Sequence, residues 1–211
     1  MYVIGDVHGK IKDYVAAIDS LPNPQCDRSL QVGDMSLDYS DLPFMANHRF
    51  IGGNHDNYGD YPAIHPNFLD DYGVWGDVFY VRGAYSIDRK YRTEGVSWWR
   101  EEELTYIAMY EMLGTYSKLK PKTVISHDCP LFLYPNFGIS AQGPSSKTSR
   151  VLEEMHEIHQ PERWLFGHHH FSDTDTVGST KFTCLNELEI FDLEKDEIFS
   201  PATTAEISSA I

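Results

Sequence analysis

Aspartate, asparagine and histidine stand in short clusters along this chain, each directly after a run of apolar residues. Gly5-Asp6-Val7-His8-Gly9 follows Tyr2-Val3-Ile4, and Gly33-Asp34 follows Leu30-Gln31-Val32. Gly52-Gly53-Asn54-His55-Asp56 follows Phe50-Ile51, Ser126-His127-Asp128 follows Thr123-Val124-Ile125, and Gly167-His168-His169-His170 follows Trp164-Leu165-Phe166. Side chains two apart on an extended backbone leave the same face, which pairs Asp6 with His8 and His168 with His170. Carboxylate, amide and imidazole make a mixed oxygen–nitrogen donor set. Such a set suits manganese, iron, zinc or nickel, whereas calcium and magnesium prefer all-oxygen cages and structural zinc favours thiolates. One carboxylate can bridge two ions through its two oxygens, and Asp34, alone in its motif and central in the order, is the natural bridge. A single Gly-Asp pair or His tract occurs by chance; five such clusters in order, each after an apolar run, point to a metal cage.

The elements that must position these groups are legible too. The apolar runs, together with Val78-Phe79-Tyr80-Val81, read as buried strands. In open α/β sheets ligands gather beyond the carboxyl ends of strands, so groups far apart in sequence can converge there. Ile11, Tyr14, Val15 and Ile18 fall on one face of a helix that Pro22 and Pro24 end. A second helix is predicted from Glu101 to Leu119, with acids in its first turn and Lys118 and Lys120 near its last. A third is predicted from Ser146 to His159, stopping before Pro161. Lys181 to Phe199 reads as two or three antiparallel strands. Asn57 to Asp77 and Pro130 to Ser146 read as long loops of the kind that carry binding function. Tyr58, Tyr61, Tyr72 and Trp75 of the first loop are candidates for a wall of the substrate cleft. Trp98 and Trp99 read as packing residues, and His48, His65, His156 and His159 as surface groups.

Composition narrows the function classes. The 211 residues fit one domain spanning 1–211. No run approaches the roughly 18 apolar residues of a membrane span, and no leader precedes the first strand, so a cytoplasmic location without a membrane partner is expected. Three widely spaced cysteines form no disulfide framework. With a formal charge of −15 the chain lacks the bulk of Lys and Arg that neutralises a long duplex. The expected partner is a small phosphorylated substrate, a nucleotide or short oligonucleotide included. Bound divalent cations would offset the charge locally.

The motif series GDxHG, GD, GNHD, SH and GHxH, as it stands from Gly5 to His170, resembles the calcineurin-like metallophosphoesterases. The resemblance implies an α/β fold: a four-layer sandwich of two packed mixed β-sheets flanked by helices. It implies two divalent transition-metal ions, manganese first, with iron, zinc or nickel as the other fits. One ion would take Asp6, His8, bridging Asp34 and His170; the other would take Asp34, Asn54, His127 and His168. His55 matches the catalytic histidine, which is not a ligand, and His169 matches no ligand position. Two ions roughly 3.5–4 Å apart acidify a bridging water that attacks phosphorus in line. The leaving oxygen then needs a proton, which a histidine supplies near neutral pH. Asp56, next in the chain, or Asp38 is a candidate to orient that imidazole.

The departures from the family pattern also inform. Where protein phosphatases and dinucleoside tetraphosphatases continue GDxVDRG and RGNHE, this chain has Gly33-Asp34-Met35-Ser36-Leu37-Asp38 and Gly52-Gly53-Asn54-His55-Asp56. Both arginines are missing, which argues against phosphoprotein substrates. The segment Gly83 to Trp99 is closer to compact bacterial and phage members. Arg89, Arg92 and Arg150 are the remaining candidates to bind the phosphate, since arginine forks onto its oxygens. The expected activity is hydrolysis of phosphomonoesters or small phosphodiesters. The alternatives are a nuclease or cyclic-nucleotide phosphodiesterase, or a non-catalytic scaffold, which tends to lose the residues that this chain retains.

Overall fold

The computed structural model describes residues 1–61, 64–140 and 146–200. Period-two burial along the strands builds it. In β1 (Tyr2–Ile4) Val3 points into one core, while Tyr2 and Ile4 point into another. β5 (Val78–Val81), β6 (Thr123–Ser126) and β7 (Arg163–Phe166) alternate in the same way. Strands apolar on both faces must be covered on both, and that requirement stacks the molecule in layers.

One sheet has five strands. β1, β2 (Ser29–Gln31) and β3 (His48–Phe50) run parallel, and β10 (Ile190–Asp192) and β11 (Glu197–Phe199) are antiparallel additions, in the order β11-β10-β1-β2-β3. The other has six, in the order β4-β5-β6-β7-β9-β8. There β5, β6, β7 and β9 (Thr180–Cys184) are parallel, edged by antiparallel β4 (Tyr72–Trp75) and β8 (Asp173–Val177). Val3, Leu30, Val32 and Ile51 meet Tyr80, Ile125 and Leu165 between the sheets. α1 (Ile11–Asp19) lays Ile11, Tyr14 and Ile18 on the outer face of the first sheet. α2 (Tyr106–Leu119) and α3 (Lys147–Ile158) cover Phe79, Val124, Trp164, Phe166 and Phe182 on the second. The result is the expected α/β sandwich: helix, mixed sheet, mixed sheet, helices.

Several local expectations are corrected. The predicted loop 57–77 contains β4, which pairs with β5. β8 lies ahead of the predicted C-terminal strands and pairs antiparallel with β9, whose other neighbour, β7, runs parallel to it. Residues 62–63, and residues 141–145 of the second predicted loop, lie outside the described residues. The second helix begins at Tyr106, capped by Thr105, whose hydroxyl accepts from Ala108 N–H at 3.2 Å. Its predicted acidic first turn is instead a separate 3-10 turn, Arg100–Glu102. Glu102 and Glu103 are buried there and serve other segments: Glu102 holds Ser86, and Glu103 accepts from Lys147 N–H (2.7 Å) and Thr148 N–H (3.1 Å) at the start of α3.

His48 and His156 are buried, not on the surface. His48 reaches Ser29 Oγ at 2.8 Å, and His156 packs among Phe132, Trp164 and Phe182. Tyr58 and Tyr61, candidates for a cleft wall, pack on the guanidinium of buried Arg82.

Candidate metal centre

The five motif segments leave the carboxyl ends of β1, β2, β3, β6 and β7, which run parallel within their sheets. Their side chains meet in two groups. Asp6, His8, Asp34 and His170 bring donor atoms within 4.8 Å of one another, and so do Asp34, His127 and His168. Asp34 belongs to both groups. The His8 and His170 Nε2 atoms are 2.8 Å apart, and His170 Nε2 is 3.2 Å from Asp6 Oδ2. His127 Nε2 lies 3.4 Å from Asp34 Oδ1 and 3.2 Å from Asn54 Oδ1, which places Asn54 with the second group.

Asp6, Asp34 and His127 are fully buried, whereas His8 and His170 open toward solvent. Asp6 Oδ1 and Asp34 Oδ2 are buried without a hydrogen-bond partner. An unpaired buried carboxylate oxygen is costly, far beyond the 1–3 kcal/mol or so of a neutral group. Two of them, ringed by imidazoles, fit a pair of divalent cations and their donor chemistry.

The backbone shows how tightly these groups are held. His8 (φ 49°), Asp34 (φ 56°), His168 (φ 66°) and His170 (φ 54°) adopt the left-handed region that side chains rarely occupy. Each is worth about 1–3 kcal/mol of strain that the surrounding structure must absorb. Glycine makes the close approach possible: a Cβ on Gly53 would collide with Asp34 Oδ1 and stand 2.6 Å from His127 Nε2. Outer partners aim the donor atoms. His127 Nδ1 lies 2.9 Å from the Val32 carbonyl and donates to it, which turns Nε2 toward Asp34. Asn54 donates its amide to Ser86 Oγ (3.2 Å), and Ser86 donates to Glu102 (2.7 Å), so the Asn54 oxygen faces the cage. Ser86 and Glu102 carry no motif spacing that sequence reasoning could have found.

Electrostatics follow from this crowding. Burial opposes charge on His127, but Asp34 and Asp6 outweigh it and carry its pKa up to about 10. Burial would raise Asp34, yet the same imidazole holds it well below the usual carboxylate range. His168 is pushed down to about 3, chiefly by burial.

His55 stands at the open side, its ring centroid 5.3 Å from that of His8, and its backbone N–H donates to Asp34 Oδ1 at 2.6 Å. Burial lowers its pKa, partly countered by Asp34. Neither predicted carboxylate orients the imidazole. Asp56 is buried and accepts from Gly53 N–H (2.7 Å), Ser36 N–H (3.0 Å) and Tyr39 hydroxyl (2.9 Å), bracing the loop. Burial and nearby Asp34 raise its pKa to about 6. Asp38 is exposed and accepts from Ser40 N–H. Arg92 touches the His55 ring instead. Arg89 stacks on Tyr85 and Trp98, and Arg150 is exposed on α3.

His169, which matched no ligand position, faces away into a third group. It lies 3.4 Å from Asp128, whose carboxylate also accepts from Ser149 of α3 at 2.5 Å, and 3.6 Å from Cys129.

Comparison with known proteins gives a consistent result. The model of the calcineurin-like phosphoesterase family matches residues 1–172. No curated protein matches the sequence significantly. Among solved structures, a protein of Thermus thermophilus aligns with a TM-score of 0.54 at 14% identity, over 94% of this chain and 96% of its own. The phosphopantetheinyl hydrolase of Mycobacterium tuberculosis aligns with a TM-score of 0.54 at 12% identity, over 88% and 89%. A Staphylococcus aureus protein assigned as a 5′-nucleotidase aligns with a TM-score of 0.53 at 15% identity, and this chain covers 51% of it. At these identities the likeness is one of fold.

Proposed function

The chain belongs to the calcineurin-like phosphoesterase family, and from that premise we propose that it hydrolyses small phosphate esters with two divalent cations, manganese first. The carrying observation is the pair of donor groups that share Asp34 and leave Asp6 Oδ1 and Asp34 Oδ2 without a hydrogen-bond partner. Asp6, His8, Asp34 and His170 would hold one ion; Asp34, Asn54, His127 and His168 would hold the other. When bound, such a pair supplies positive charge to the phosphoryl group and acidifies water to near-neutral pKa.

The remaining work falls to this chain's own residues. Asp34, which belongs to both donor groups, would tie the two sites together. His55, outside both donor groups and beside the open edge, would give a proton to the leaving oxygen. Asp56 acts through the loop: by bonding Gly53 and Ser36 it holds His55 and Asp34 at their separation. The phosphopantetheinyl hydrolase and the assigned nucleotidase of the same fold accord with a small phosphorylated substrate. The acidic chain accords with the absence of a long duplex partner. Free, buried Cys129 and Cys184 accord with a reducing, cytoplasmic setting.

The test is elemental analysis joined to turnover of an aryl phosphate by manganese-loaded protein. Up to two ions per chain and activity abolished by chelation are expected. Asp34→Asn should lose metal and activity together for every ester while remaining folded by circular dichroism. Activity that survives chelation would overturn the reading.

A further inference from the structure

Between β5 and α2 lies a segment with little regular structure, and its route past the metal centre is tightly specified. Gly83 N–H donates to the Gly52 carbonyl at 2.7 Å, tying the segment to the loop that carries Asn54 and His55. Ser86 is then held by Glu102 and touches Asn54. From that anchor the chain makes a 3-10 turn, Arg89–Tyr91, and delivers Arg92 over His55.

The contact geometry is informative. Arg92 Nη2 is 3.0 Å from His55 Nδ1 and 2.9 Å from His55 Nε2. An atom that close to both ring nitrogens cannot lie in the ring plane, because Cε1 stands between them there. The guanidinium therefore lies over the face of the imidazole, which leaves both nitrogens their in-plane directions toward a substrate. Two further contacts fix it: Asp88 Oδ2 at 2.8 Å from Nη2, and the Ser97 carbonyl, which accepts from Nη1 at 3.3 Å. A guanidinium has five N–H donors, and Asp88 and Ser97 engage one terminal nitrogen each. The Arg92 side chain is 13% exposed while Asp88 is 48% exposed, so the cation is pinned and partly dehydrated, and its counter-ion sits in solvent.

We propose that Arg92, pinned by Asp88 and Ser97 over the face of His55, binds the terminal phosphate oxygens and makes this site selective for phosphomonoester dianions over diesters. The proposal rests on the phosphoesterase reading and extends it to substrate class. A monoester presents three terminal oxygens carrying two charges near neutrality, and a diester presents two oxygens carrying one. A forked cation at the open edge gains more from the former. Asp88, exposed and singly bonded, is a counter-ion that a phosphate dianion can displace.

The experiment uses two esters with one leaving group, nitrophenyl phosphate and bis(nitrophenyl) phosphate, so that any difference reports the phosphoryl charge. It is paired with calorimetric affinities of manganese-loaded protein for inorganic phosphate and for dimethyl phosphate. Arg92→Ala should lower kcat/KM for the monoester about 10–100-fold more than for the diester, the worth of one charge-assisted hydrogen-bond pair. It should weaken phosphate more than dimethyl phosphate by a similar factor, at unchanged metal content. Arg92→Lys should recover part of the loss, because it returns the charge without the fork. Equal losses for the two esters, with equal weakening of the two anions, would overturn the assignment of Arg92. Selective phosphate binding that depends on Arg92, in a protein that hydrolyses neither ester, would uphold the clamp and strike the reaction instead.

Discussion

His55 and Asp34 are joined by a hydrogen bond from the His55 N–H to Asp34 Oδ1, yet removing each side chain should fail in a different way. The His55 imidazole belongs to neither donor group, so His55→Ala deletes no ligand atom and should keep both the metals and the fold. Its rate should fall by roughly 10²–10⁴-fold for alkyl esters, whose leaving oxygen needs a proton. An aryl ester with nitrophenolate as leaving group needs little protonation and should lose much less. Metal content measured beside both rates checks this, and equal losses in metal-replete protein would show that His55 is not the acid. The bond from its own N–H is backbone and survives the substitution, which keeps the two effects separable.

At the scale of elements, the start of α3 depends on a residue from a distant segment. Ser146 caps it locally by accepting from Ser149 N–H at 3.1 Å. Glu103 bonds the Lys147 and Thr148 N–H groups from across the core, placing a carboxylate where the helix dipole favours negative charge. Ser149, one turn along, contacts the Asp128 carboxylate, and Asp128 follows His127 in the chain. The helix end is thus part of the scaffold behind the metal centre. Glu103→Ala should cost about 1–3 kcal/mol, since it leaves the buried Thr148 N–H and the half-buried Lys147 N–H without their acceptor. Denaturant unfolding checks the value, and metal stoichiometry should stay at the parent level. An unchanged unfolding midpoint would show that water replaces the carboxylate.

For the molecule as a whole, acid should weaken the fold through histidines that belong to neither donor group. Burial lowers the pKa of His48, His65 and His156 below the ordinary 6.5. The unfolded chain therefore binds more protons than the native one as pH falls below that value. Their contribution is whole above pH 6.5 and is lost as pH drops toward their folded values. His127 and His170, whose pKa values are raised, act in the opposite sense, so the effect is read as a difference between two proteins. In chelator, His156→Gln should lose less stability than the parent between pH 7.5 and pH 5.5, by unfolding midpoint. The same pH slope in both proteins would remove His156 from this account.

The sequence alone determined the sheets' main strands, the presence of three helices with the apolar face of the first, and the motif residues that the fold gathers into the two donor groups. It could do so because these features are local: period-two burial, helical spacing, and a polar residue placed just after an apolar run. It did not determine what lies around them. Asp56 reads as a partner for the next residue, and only the folded loop shows its carboxylate taken up by Gly53, Ser36 and Tyr39. The acids before α2 suit the dipole of the nearest helix, yet packing carries Glu103 to α3 and Glu102 to Ser86. His48 and His156 look like surface groups until strand and helix close over them. Arg89, Arg92 and Arg150 are equal candidates as residue types, and one 3-10 turn lays Arg92 on His55. Ligand chemistry is carried by residue type and spacing along the chain, whereas the partner of a buried charge is set by which segments meet, and that is decided only in three dimensions.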